Sequence, residues 1–167
     1  LISSETGKFL NKIIQGERNS EFEELHILKP GISWSPDGAE LVFSAKSGKS
    51  DALFIYNLKT EKTRKIRLEL EGIFRPTWSP LADEIAFIGN DGETSDIYIY
   101  DLFTTELLNL TNDWFTEDHV SWSPNGGDLL FISDRGNYLT EKQPLSKFTH
   151  PLEQSDIYSI SRGNAHI

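Results

Sequence analysis

Trp34-Ser35-Pro36-Asp37 returns as Trp78-Ser79-Pro80-Leu81 and again as Trp122-Ser123-Pro124-Asn125, at a constant spacing of 44 residues. A phenylalanine follows each tryptophan nine residues on, at Phe43, Phe87 and Phe131. The second half of the unit keeps the same period: Leu53-Phe54-Ile55-Tyr56-Asn57 lies 44 residues before Ile97-Tyr98-Ile99-Tyr100-Asp101. A fixed period of this length marks a repeat architecture and constrains the whole chain before any single element is considered.

Each unit reads as four short strands, A to D. Strand A ends at the tryptophan. Ser-Pro-Asp-Gly then suits a tight turn, because proline fixes φ at the second position and glycine is favoured at the fourth. Strand B is read at 41–45, 85–89 and 129–133, strand C at 53–58, 97–102 and 157–161, and strand D at 63–68 and 107–110. These runs are β-branched and aromatic and are bounded by turn residues. Only residues 20–28 carry a helical stripe, and it is weak. Four antiparallel strands per ~40–45 residues are the signature of a β-propeller blade, whose two apolar sides each need a neighbour. A sandwich would show irregular spacing and no recurrent tryptophan. The expected fold class is therefore all-β, a β-propeller of four-stranded antiparallel blades. About three blades are expected, at 30–68, 74–110 and 118–167, with strands C and D of a preceding blade at 1–14.

The Trp-Ser-Pro-Asp-Gly turn, the following Leu-x-Phe strand, Ser133-Asp134-Arg135-Gly136 and Asp156-Ile157-Tyr158 together resemble the WD-like repeat of TolB-type propellers. The resemblance covers residues 30–161 and extends back to Leu1, with relaxed copies at Leu81-Ala82, Asn125-Gly126-Gly127 and Ala52-Leu53-Phe54. It implies a periplasmic or envelope-associated bacterial setting and a role in binding another protein. Prolyl oligopeptidase and tricorn-like peptidases carry similar propellers as gating domains, with catalysis in a separate domain, and form the alternative reading. A third reading is a propeller lyase or sugar-binding protein that uses channel-mouth His and Arg residues.

Composition narrows the partners. The 167 residues carry a net charge of −10, which disfavours nucleic acid and anionic membranes because phosphate binding needs a basic footprint. No apolar run approaches the ~20 residues of a membrane-spanning helix. With no Cys, thiolate metal sites and cysteine nucleophiles are excluded. The chain holds no G-x-S-x-G, H-E-x-x-H, P-loop or dinucleotide fingerprint, and residues 90–96 lack the full EF-hand pattern. No catalytic residue, metal or cofactor is therefore expected. The chain starts and stops mid-blade and contains no Met. An excerpt of a longer protein is expected, the alternative being two copies that close one six-bladed ring.

Strands alternate direction, so A–B and C–D turns share one face and B–C and D–A loops share the other. Both length expansions fall on the second face. The first D–A loop carries ten extra residues within 15–29, and the third B–C loop spans 22 residues, 134–155, where the other copies use six. Long loops on one face of a repeat scaffold mark a binding face, which points to a protein or peptide partner there. The candidates in or beside these loops are Trp114, Phe115, Arg135, Tyr138 and Phe148. For the long loop the competing reading is a plug folded over its own blade. On the innermost strands, Arg75 and His119 occupy the repeat position held by Gly31, and with Asp118 are expected to line the channel mouth, either as a polar-ligand or anion site or as ordinary lining with a local Asp–His pair.

Overall fold

The computed structural model describes residues 1–9, 12–13, 24–25, 31–81, 83–139 and 155–164. The described residues form three antiparallel sheets that match the three sequence units. The first contains β1 (Glu24–Leu25), β2 (Ile32–Trp34), β3 (Glu40–Ser47), β4 (Ser50–Asn57) and β5 (Lys62–Arg67). The second runs β6 (Gly72–Trp78), β7 (Glu84–Asn90), β8 (Ser95–Asp101) and β9 (Leu107–Asn109). The third holds β10 (Glu117–Trp122), β11 (Asp128–Ser133) and β12 (Asp156–Ser161). Residues 162–164 continue from β12 as a 3-10 turn. At the N-terminus a single antiparallel bridge, Ile2 to Phe9, closes a short turn.

Burial explains why each run is a strand of its kind. The middle strands β3, β4, β7 and β8 are buried at nearly every position, because both sheet faces meet apolar neighbours. The outer strands β5 and β9 are largely exposed, and β5 is accordingly Lys- and Arg-rich. The nine-residue Trp-to-Phe spacing now has a structural meaning. In each sheet the phenylalanine of strand B lies opposite an aromatic of strand C: Phe43 with Phe54, Phe87 with Tyr98, Phe131 with Tyr158. Their ring centroids are 5.4, 5.8 and 5.7 Å apart. One apolar core joins the first two sheets, with Val42, Leu53 and Ile55 against Ile73, Trp78 and Phe87. A second joins Ala86, Ile88 and Ile97 to Val120, Leu129 and Phe131. Each fully buried side chain of this size contributes ~1.5–3 kcal/mol, so the stacking is the main source of stability.

Two details differ from the sequence reading. The residues with the weak helical stripe include Glu24–Leu25, which is a strand paired with Lys46 and Ala45. Because β1 and β2 both lie on β3, they are two parts of one inner strand. Eight residue steps carry the chain from Leu25 to Ser33, where four carry it from Ile73 to Thr77. Four of the ten extra residues therefore enter inside strand A rather than in the loop before it. The first B–C connection is also shorter than six residues. Its strands run on to a Ser47–Ser50 pair, because Gly48 at φ 81° allows a two-residue turn.

Candidate functional site

The B–C and D–A connections of the second and third blades meet in one buried polar cluster. Asp96 opens β8 and accepts hydrogen bonds from Thr94 Oγ1 (3.0 Å), Asn109 Nδ2 (3.1 Å), Thr111 Oγ1 (3.1 Å) and the Asp113 backbone N–H (3.2 Å). It thereby ties the outer strand β9 and the D–A loop to the blade. From the other side Arg135, just past β11, donates to Asp113 Oδ2 (2.8 Å), Glu117 Oε1 (2.7 Å) and Ser133 Oγ (3.2 Å). Its guanidinium also lies 5.4 Å from the ring centroids of both Phe115 and Phe131, a cation–π arrangement strengthened by desolvation.

Proton counting identifies the protonation state. Thr111 Oγ1 accepts the Ile97 N–H at 3.1 Å and lies 3.1 Å from both Asp96 Oδ1 and Glu117 Oε2. A hydroxyl has one proton to give, so one of those carboxyls must supply its own. Glu117 is that group. Burial first, and then the neighbouring Asp113 charge, push its carboxyl up to about 7 against the pull of Arg135 and Ser133. Asp113 is raised as well, again chiefly by burial. Asp96, Asp113 and Glu117 bring one oxygen each within 4.8 Å of one another, a spacing a cation could use. Here the Arg135 guanidinium already sits against two of the three.

The structure sorts the residues that the sequence singled out. Phe115 and Arg135 are offered by the sequence as contact residues, yet both are buried, Phe115 to 1 % exposure. Arg135 is drawn inward because the buried Asp113 and Glu117 carboxyl groups both accept its hydrogen bonds, and Phe115 because its ring packs on that cation. Tyr138 stacks on Phe115 with centroids 5.7 Å apart and so pins the start of the long loop to the D–A loop. Trp114 is 38 % exposed and Leu139 69 %, both beside this anchor. Phe148 lies outside the described residues.

Arg75 and His119 line an open groove of about 360 Å³ with Gly31, Ser33, Thr77 and Ser121, residues from the inner strands of all three sheets. Arg75 Nε donates to Asp118 Oδ1 at 2.9 Å, and His119 Nδ1 lies 3.4 Å from Asp118 Oδ2. The expected Asp–His pair is present and is joined across blades by the arginine. Both strands bulge at this point. Arg75 and Pro76 face the single Phe87, and His119 and Val120 face the single Phe131. Arg75 and His119 have φ of 52° and 53°. A non-glycine residue in that left-handed region costs ~1–2 kcal/mol, which is why glycine usually opens a bulge of this kind. No side chain fits at Gly31, where a Cβ would come within 2.4 Å of the Arg75 Cα. Periodicity exposed the shared position of these residues; the buried cluster around Arg135 has no period and escaped it.

A family profile described as the TolB beta propeller domain matches residues 18–138. Among solved structures, TolB from Acinetobacter baumannii is similar with TM-score 0.62 and 24 % identity, over 86 % of this chain and 31 % of that one. A putative TolB from Agrobacterium tumefaciens is similar with TM-score 0.63 and 13 % identity, over 84 % of this chain and 48 % of that one. The tricorn protease matches with TM-score 0.55 and 18 % identity, over 71 % of this chain and 12 % of that one. The chain thus spans less than half the length of each of these structures. No curated protein matches it by sequence. No helix among the described residues is long and apolar enough to cross a membrane.

Proposed function

The chain belongs to the TolB β-propeller domain family, and from that membership we propose that it is a non-enzymatic scaffold whose B–C and D–A loop face binds another protein or peptide. The setting proposed is the periplasm or cell envelope, as the family resemblance implies. The observation that carries the reading is the anchored base of the long loop. Arg135 is locked between Asp113 and Glu117, Tyr138 is stacked on Phe115, and the exposed Trp114 and Leu139 stand immediately beside them. A rigid base that displays apolar side chains loses little entropy on binding, which favours affinity. Aromatic anchors of this kind are enriched in protein interfaces.

The test replaces residues 140–154 by a short Gly-Ser linker in the protein, sparing Tyr138. The variant is expected to keep its melting temperature and to lose co-purification with its envelope partner. Retention of both would defeat the proposal. A gating propeller would instead show altered substrate-size selection in the same variant, with no partner lost.

A further inference from the structure

We propose that the Arg75–Asp118–His119 cluster in the groove between the inner strands is a binding site for a carboxylate, separate from the loop face and independent of it. The first argument is a broken local rule. The opening residue of a left-handed bulge is normally glycine, and two blades place Arg75 and His119 there instead, at φ 52° and 53°. Strain kept at equivalent positions of two repeats, on residues that carry charge and donors, points to use rather than folding. The second argument is the arrangement of donors. Asp118 takes the Nε of Arg75 on one oxygen and approaches Nδ1 of His119 with the other. This fixes both side chains while leaving the two Nη groups of Arg75, which have no hydrogen-bond partner among the described residues, as a planar fork. A fork of that shape fits a carboxylate with two parallel hydrogen bonds. The third argument is room. Both residues line the open groove of about 360 Å³, whose remaining wall carries the hydroxyls of Ser33, Thr77 and Ser121. Gly31 belongs to the same design, since any side chain there would displace the Arg75 backbone.

The carboxylate could come from a free small acid or from an acidic peptide, and the experiment separates these sources. The isotope-labelled chain is titrated with succinate, with a capped Gly-Asp-Gly peptide, and with sodium chloride at matched ionic strength, while the amide signals of Arg75 and His119 are followed by NMR. Saturable shifts with one or both carboxylates and none with chloride are expected, and the tighter ligand names the source. Arg75→Gly relieves the backbone strain, so it should melt at the same temperature or higher yet bind at least tenfold more weakly. Arg75→Asn, which also tolerates the left-handed region, provides the same comparison if the glycine variant folds poorly. The proposal is overturned if neither carboxylate gives saturable shifts, if chloride reproduces them, or if the folded Arg75 variants bind as well as the unaltered chain.

Discussion

The two ends of the blades follow opposite rules. On the A–B and C–D end the same kinds of bond recur from copy to copy. The backbone N–H of Ser35, Ser79 and Ser123 donates to the carbonyls of Glu40, Glu84 and Asp128 at 2.8–2.9 Å. Ser35 Oγ donates to Asp37, and Ser123 Oγ meets the Asn125 side chain, each at 2.6 Å. Asn57 caps the N–H groups of Lys59 and Thr60 just as Asp101 caps those of Phe103 and Thr104. On the B–C and D–A end a strand-C aspartate holds a D–A backbone N–H in two blades, Asp51 with Ile73 and Asp96 with Asp113, but the cluster around Arg135 occurs once among the described residues. Repetition serves stacking, which every blade needs. Departure from it costs buried charge, and that expense falls on the face with the long loop.

The largest expected effect follows from that expense. Arg135→Ala leaves Glu117 and Asp113 without their cation and should destabilise the chain by ~3–5 kcal/mol, measured by urea unfolding. Its counterpart on the regular end, Asn125→Ala or Asp37→Ala, removes only exposed turn bonds and should cost ~1 kcal/mol or less in the same assay. Equal losses at the two ends would erase the contrast.

A second consequence is a pH dependence confined to one end. Glu117 titrates near 7 in the fold and near its ordinary 4.5 when unfolded. Between those values the folded state holds the extra proton, so stability falls as pH rises from about 4.5 to 7 and levels off above. Asp113, raised too, acts in the same direction. Glu117→Gln supplies a permanent amide donor towards Thr111 and should flatten the decline by ~2 kcal/mol, from the size of the shift, in unfolding curves at pH 5 and 8. An unchanged slope would show that Glu117 is ionised throughout. The smallest stability effect is expected at the surface, where Leu139→Ala, at a side chain 69 % exposed, should change unfolding by ~0.5 kcal/mol or less.

How much of this was legible in the sequence follows the same division. The 44-residue period gave the blades, the recurrent core phenylalanines and the shared position of Arg75 and His119, because stacked repeats must reuse the same side chains at the same register. Even the relaxed Leu81 turn folds like the others, since the Ser79 N–H bond to Glu84 needs no particular side chain at Leu81. The cluster was hidden because Asp96, Asp113, Glu117 and Arg135 come from four different segments and bear no common spacing. The left-handed bulges were hidden too, because nothing in an Arg or His announces a positive φ. The strand at Glu24–Leu25 went unread because four residues inserted within strand A shift it off the repeat register.

Site-specific photo-crosslinking compares the two ends most directly, with the crosslinker placed at Trp114 in one version of the protein and at Phe103 in another. Phe103 is 89 % exposed on the C–D turn, so bare apolar exposure alone would favour it over Trp114 at 38 %. In intact cells a discrete protein adduct is expected from position 114 and none from position 103. Adducts from 103 alone, or equally from both, would contradict the assignment of binding to the B–C and D–A face.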